Sequence, residues 1–555
     1  MEPKAIYKFC KTVGCCDICC IRYMGVKHPS AYENYKVYVT QYQEQTKSES
    51  TPEETTESST DVAKEDLETS SIKSEKDNPS LNGHIRDSKI ELNGISNNDS
   101  SPPPKKRKVD ICSSCLGVLQ EDGWQESYDM VKEVLDKKGY ECSTFACALS
   151  APIATLLRER AITLRLADKF PGYDHKTVTA LKEAWKWSFG NKLGTHINRT
   201  LDSGAISPLL ITINMDYVDD LQELEILKNV SPQLFKERSK QKRRFVTEFT
   251  RRSVEQALER ATLPTLLAAG GGLAAAAARA HPVGVACAHA PVYVAGRYIK
   301  LSRNLPQSPW ILDGKRVLPS SVQEIIYKPL AKLFKLNEEE ADRKLKIIAA
   351  GREDVDVRCL GEGRPFAIEI TDPIRQLTEA DLSRVCEEIN KSGDVIVKRL
   401  VNIRREDLVL LKKGEETKSK TYDAICIKLS HSKHDDVSPN SPIRVTEKDI
   451  EAINTYTKKY AVIRQRTPIR VLHRRPLLTR TREILELTGE MIPEYPQLFK
   501  IRVTTTAGTY VKEWAHGECG RSAPALAAGL GARVDLLALD VAAVHLDWPP
   551  NTPQA

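Results

Sequence analysis

Two short cysteine pairs constrain this chain more than any other feature. Cys16-Asp17-Ile18-Cys19 stands near the start, and Cys112-Ser113-Ser114-Cys115 far downstream. Four thiolates in two such pairs suit a closed tetrahedral zinc site, structural in role because no position stays open for water. If one ion joins them, the 92 residues between Cys19 and Cys112 must loop out and return. Cys15 and Cys20 double the first pair, but only the 16/19 choice keeps two intervening residues. The alternative is two unrelated reduced pairs. The N-terminus shows no apolar secretory stretch, so the 14 cysteines are expected as reduced thiols and metal ligands, not disulfides.

The looped-out stretch suits such a role. Residues 43–101 are rich in Ser, Thr, Glu, Asn and Lys and nearly free of aromatics. Such a tract cannot bury enough apolar surface to offset chain entropy, so disorder is expected. Added length costs little once the ends are held together. The tract carries −8, from 6 Lys/Arg against 14 Asp/Glu; the whole chain carries +7, which leaves +15 on the remainder. A body that basic points to a polyanion, most simply a nucleic acid. Pro102-Pro103-Pro104-Lys105-Lys106-Arg107-Lys108-Val109 follows and reads as a nuclear localisation signal, with a basic RNA-touching arm as the alternative. With 555 residues, 41% of them hydrophobic, two to four domains are expected. No membrane span is expected: the nearest candidate, Leu263 to Ala290, is broken by Arg279, His281 and Pro282.

Chemistry concentrates in Gly351-Arg352-Glu353-Asp354-Val355-Asp356-Val357-Arg358-Cys359-Leu360-Gly361-Glu362-Gly363. A small apolar run, Ile347 to Ala350, precedes it, and the alternating Arg364 to Ile370 follows. The pattern predicts strand, sharp loop, strand, with carboxylates held in the loop between Arg352 and Arg358. Nearby opposite charge favours an ionised carboxylate, and one in a cleft can act as nucleophile or base. The alternative is a surface loop of weak Asp–Arg pairs.

The wording Gly-Arg-Glu-Asp-Val-Asp-Val-Arg resembles the catalytic loop of pseudouridine synthases, whose Gly-Arg-x-Asp signature carries one essential Asp. Its extension through Gly361 to Glu369 resembles the archaeal and eukaryotic THUMP-containing branch that modifies the TΨC arm of tRNA, at positions 54 and/or 55. The resemblance makes Asp354 catalytic, not Asp356. It supports zinc on Cys16, Cys19, Cys112 and Cys115. It implies a THUMP-type RNA-binding domain in the mixed segment after Trp124, where Tyr128–Lys138 reads as helix and Leu209–Met215 as strand. There Phe245, Phe249 and Val254 recur at helical spacing beside a basic cluster. The Ala/Gly-rich stretch from Ala268 to Ala280 departs from the family, whose wording resumes at Ala295-Gly296-Arg297-Tyr298 and is strong from Ser302 to Trp310.

Three further stretches bear on the same chemistry. Tyr422 stands before an apolar run and, by resemblance, stacks on the target uracil and helps remove its C5 proton. Arg464 to Pro476 packs five Arg into thirteen residues, a density suited to gripping phosphates. Gly508-Thr509-Tyr510-Val511-Lys512 resembles the third motif of the family, with Tyr510 lining the base pocket and Lys512, or Arg352, paired with Asp354. The fold class implied is α+β: a C-terminal catalytic domain with a mostly antiparallel sheet, a zinc module, and an α/β THUMP-like domain. The expected boundaries are 1–42 and 104–135 for the zinc module, 43–103 for the linker, 136–300 for the RNA-binding domain and 301–555 for the catalytic domain. The implied partners are tRNA and other structured nuclear RNAs, with no membrane, no organic cofactor, a monomeric state, and nuclear and cytoplasmic location. Two other classes stand beside this one. The first is an RNA-binding protein of nuclear RNA processing without catalysis. The second, a zinc deaminase, lacks its His-x-Glu and Pro-Cys-x-x-Cys signature here, and no companion groups support a nucleophilic pair from His516 and Cys519.

Overall fold

The structure is a computed structural model describing residues 2–43, 110–204, 206–240, 247–271, 275–433, 435–438 and 440–550. The expected linker and localisation signal, and Phe245 of the helical spacing, lie outside the described residues.

Among the described residues, sixteen strands form three sheets. Strands β1 (Thr144–Ser150), β2 (Thr200–Leu201), β3 (Leu209–Asp216) and β4 (His281–His289) make a four-stranded sheet in the order β2-β1-β3-β4. Helices Gln125–Lys138 and Ala154–Lys169 belong to this half. Its core is continuous with the N-terminal helices: Ile6, Cys19, Tyr23, Cys115, Phe145, Ile211 and Cys287 belong to one buried cluster. The cysteine module is therefore not a separate body but part of the same core.

The C-terminal half is built on ten strands: β5 (Val292–Lys300), β8 (Leu345–Ala349), β9 (Arg358–Ile370), β10 (Val395–Ile403), β11 (Lys420–Lys428), β12 (Val462–Arg466), β13 (Thr479–Met491), β14 (Leu498–Thr505), β15 (Ser522–Ala523) and β16 (Val534–Val544). The remaining pair, β6 (Ile311–Leu312) and β7 (Lys315–Arg316), forms a separate hairpin. The order is β10-β5-β9-β16-β11-β14-β13-β12-β15, with β8 on β9. Every pairing in it is antiparallel except the short β9–β16 join. Strand β14 shows why the sheet forms: Phe499, Ile501 and Val503 are fully buried while Lys500 and Arg502 face out, the period-two pattern of a sheet with one solvated face. Strand β5, which precedes residue 301, pairs with β9 and β10 and so belongs to the C-terminal sheet. The loop joining β8 to β9 spans 350–357 and carries Asp354, beside the central β9–β16–β11 strands.

Candidate active site

Loop 350–357 is fixed mainly through its backbone. Lys300 ends β5 on the same face as the buried Val294 and Tyr298 and has no exposed surface. Its ammonium donates to the carbonyls of Leu305 (2.7 Å), Val355 (2.8 Å) and Asp354 (3.2 Å). Burial pushes the Lys300 ammonium below its usual pKa. Arg303 donates to the carbonyl of Asp356 at 2.8 Å. Under the loop, Glu353 and Arg364 form a buried ion pair at 2.7 Å. The Tyr298 hydroxyl donates to Glu353 at 2.9 Å, and Gln307 reaches both that hydroxyl (2.8 Å) and the Gly351 carbonyl (3.0 Å). Gly351 has φ +90°, and a Cβ there would stand 2.8 Å from the Lys420 ammonium. The turn therefore needs glycine for its conformation, while the flexible end of Lys420 could shift to admit a Cβ.

Asp354 itself is recessed, its side chain 32% exposed, whereas Asp356 is 65% exposed. Its nearest cation is Arg470, whose Nη1 lies 2.9 Å from Oδ2. Arg470 also pairs with Glu513, which is buried on the helix Val511–His516. Burial works against the Arg470 charge, but Glu513 and Asp354 hold its pKa above the usual value. Lys512 is 3.6 Å from Asp354 but 2.7 Å from Asp356. Burial raises the Asp356 carboxyl, yet the Lys512 ammonium outweighs it and leaves the pKa low. The expected Asp354–Lys512 pair is thus secondary. The other expected partner, Arg352, is exposed and has no ion pair among the described residues. Arg358 turns instead to Asp540 on β16, at 2.6 Å. The reason is geometric: β9 begins at Arg358, so that side chain follows the strand and not the loop.

These groups open on one cleft of about 640 Å³, lined by Asp354, Arg364, Tyr422, Arg470, Tyr510 and Lys512 among others. That volume lies inside the range of about 300–1,000 Å³ of small-ligand pockets. Tyr422 enters from β11 and is half-buried; burial pushes its phenol up to about 12, against the pull of Arg364. At neutral pH it therefore offers a ring and a neutral hydroxyl, not a phenolate. Tyr510 is held by its backbone: Gln465 on β12 accepts from its N–H and donates to its carbonyl, each at 3.0 Å. The Arg-rich segment divides its labour. Arg470 turns inward to the carboxylates, while Arg474 and Arg475 line the cleft exposed.

The structure thus brings together Asp354, Tyr422, Tyr510, Lys512 and Arg352, and adds Arg470, Glu513, Lys300 and Gln465, which sequence reasoning did not assign. Two of these carried a signal. Lys300 and Gln465 fall in phase with buried residues of their strands, Tyr298 and Ile463, so the alternation itself placed a polar group inside.

Far from the cleft, the thiols of Cys16, Cys19, Cys112 and Cys115 lie within 4.8 Å of one another, a set that could hold a metal ion. The expected limit was about 4 Å. The surroundings fit thiolates: the Cys16 N–H donates to Cys112 Sγ (3.2 Å), Leu119 N–H to Cys115 Sγ (3.4 Å) and Arg22 Nη1 to Cys19 Sγ (3.7 Å).

Comparison with known proteins agrees with this geometry. The family model described as Pus10, C-terminal, matches residues 293–545, and that of eukaryotic Pus10, N-terminal, matches 112–267. A human relative named tRNA pseudouridine synthase Pus10 is 33% identical across 99% of this chain and 98% of its own length. One of the same name from Thermofilum pendens is 36% identical over 49% of this chain and 55% of its own. Among solved structures, one chain of a Cbf5-Nop10-Gar1 complex covers 45% of this chain and 49% of its own at 17% identity and a TM-score of 0.24, too low to carry an argument. Loop, cleft and relatives together define a pseudouridine synthase, an isomerase. The chain belongs to the Pus10 family.

Proposed function

We propose that the chain isomerises uridine to pseudouridine in the TΨC arm of tRNA, with Asp354 as the essential group. The observation that carries this reading is a recessed carboxylate on a braced loop, facing two tyrosines across a cleft ringed with arginines. The reaction breaks the N1–C1′ bond, turns the uracil and joins C5 to C1′; the C5 proton is lost and N1 gains one, so the change is an isomerisation with no net redox change and no ATP. Asp354 attacks C1′ or takes the C2′ proton. Tyr422 stacks on the uracil, its hydroxyl a neutral hydrogen-bonding group near C5, and Tyr510 lines the base pocket. Extruding a stacked uridine costs a few kcal/mol, repaid by such contacts. Arg474 and Arg475 grip phosphates and position the arm.

In the same reading, Cys16, Cys19, Cys112 and Cys115 hold one structural zinc ion. The ion ties the two halves of the zinc module, 1–42 and 104–135, to each other, beside a THUMP-like RNA-binding unit around the four-stranded sheet. The protein acts as a monomer in nucleus and cytoplasm, on tRNA and on other structured nuclear RNAs. The test is incubation with an unmodified tRNA transcript followed by chemical mapping of pseudouridine. A new pseudouridine confined to the T arm supports the proposal; one placed only elsewhere, or none, counts against it.

A further inference from the structure

A second, smaller cavity shares Gly508 and Tyr510 with the main cleft. Gln465, Thr467, Arg480 and Arg482 also line it, and no carboxylate does among the described residues. Strand register explains the pair of arginines: Arg480 stands opposite Gln465 and Arg482 opposite Ile463, so both rise on the face from which Gln465 holds Tyr510. Arg482 is half-buried. Its Nε has no hydrogen-bond partner among the described residues, and its Nη1 reaches only the neighbouring Thr481 carbonyl, at 3.3 Å. Burial and the adjacent Arg480 both weigh against its charge. Of the arginines that line the main cleft, the less exposed Arg470 and Arg364 are matched, by Asp354 and Glu513 and by Glu353, while Arg352, Arg474 and Arg475 stand exposed to solvent. Two cations facing one space without an anion are unbalanced, since a partly buried charge costs free energy until it is paired.

Space narrows the choice of anion. The cavity holds only about 10 Å³, room for an oxygen atom and not for a base. Gly508, at φ +74°, lets backbone approach closely; a Cβ there would stand 2.9 Å from Arg482 Nη2 and intrude on the space the guanidinium faces. We propose that Arg480 and Arg482, beside the bare backbone of Gly508, seat one phosphodiester of the substrate RNA adjacent to the nucleotide held in the cleft. The seat rests on the functional reading above. It would hold the strand beside Tyr510, at the point where the uridine leaves the stack, while Arg474 and Arg475 line the main cleft.

The test is a linkage scan. A T-arm stem-loop carrying the target uridine is made with one neutral methylphosphonate at a time along the linkages flanking it, and binding is measured. With the wild-type protein, one linkage should stand out with about a tenfold loss of affinity, the scale of a lost charge-assisted hydrogen bond. The Arg480→Ala/Arg482→Ala protein should bind the unmodified RNA about tenfold more weakly and be indifferent to that linkage. Its slope of log affinity against log salt should fall by about 0.7–0.9, one phosphate's worth. Arg482→Lys should recover part of the loss. Arg480 is exposed, so Arg480→Ala alone keeps the comparison open should the double variant fail to fold. A scan with no singular linkage, or one that both proteins feel equally, overturns the seat. Pseudouridine formation by the wild type on the same RNA reports on the functional reading separately: conversion with a flat scan removes the seat alone, and binding without conversion removes the reading while the scan still decides the seat.

Discussion

Arg470→Met probes how the loop holds its carboxylate. The substitution keeps an apolar stem and removes two ion pairs at once. Asp354 loses its 2.9 Å partner and retains only Lys512 at 3.6 Å. Glu513, only 6% exposed, is left without its guanidinium. An exposed pair is worth about 0–1 kcal/mol, and breaking a buried one costs about 3–5. Arg470 is 39% exposed, so the expected loss of stability is intermediate, about 2 kcal/mol. Catalysis should suffer more. A catalytic group displaced by about 1 Å costs on the order of 100-fold, so the single-turnover rate should fall about that far, with RNA affinity nearly unchanged. Denaturant titration and chemical mapping of pseudouridine over time read the two quantities. Adding Glu513→Gln relieves the unpaired buried carboxylate and should restore most of the stability without the rate. A wild-type single-turnover rate in Arg470→Met would refute the reasoning, and so would a rate that returns with stability in the double variant.

Three other outcomes follow from the same contacts. Lys300→Met leaves the Leu305 and Val355 carbonyls without a donor among the described residues, while the Asp354 carbonyl keeps the Val357 N–H at 3.1 Å; it should cost about 2 kcal/mol by denaturant titration, at roughly 1 kcal/mol each, with a slower single-turnover rate because the Asp354 backbone loses its ammonium anchor. Asp435 is pushed up by burial but drawn down to about 2 by the buried Lys428, 2.7 Å away. A depressed carboxyl stabilises the fold above its unfolded pKa and loses that contribution as pH falls through the folded value, here between about 4 and 2. Asp435→Asn should therefore flatten the acid-unfolding profile in that window, and an unchanged profile would discount the pair. Purified protein should contain about one zinc ion per chain, four thiolates making one tetrahedral site. A strong chelator should unfold the N-terminal half, since Cys19, Cys112 and Cys115 sit in its main core cluster; full retention of that half's near-ultraviolet circular dichroism would contradict this.

Much of the site was legible because its chemistry is local in sequence. Asp354 and its flanking strands lie within residues 345–370, and Tyr422 and Tyr510 each stand in a short stretch whose apolar neighbours set their direction. The two cysteine pairs were legible because spacing within each pair is what a tetrahedral ion demands. The identity of Asp354's cation was not. Arg470 lies 116 positions away, and only the fold of the loop after β12 decides which of five arginines turns inward. Arg352 and Lys512 were the natural choices by proximity and resemblance, but Arg352 lines the cleft exposed, with no ion pair among the described residues, and Lys512 meets the more exposed Asp356 first. The sheet to which β5 belongs was hidden for a similar reason: nothing local in Val292–Lys300 says that its hydrogen-bonding partners are β9 and β10 and not β4.

The central claim is that one recessed carboxylate does the chemistry and the basic body supplies the affinity. Parallel assays of Asp354→Asn and Asp356→Asn on an unmodified tRNA transcript test it most directly. Affinity comes mainly from phosphate contacts of Lys and Arg, so both proteins should bind within a few fold of wild type. Asp354→Asn should form no pseudouridine. Asp356→Asn, which gives up only the exposed pair with Lys512, should retain most of the activity. An active Asp354→Asn protein beside an inactive Asp356→Asn one would contradict the assignment, and wild-type activity in both would leave the cleft without its catalyst.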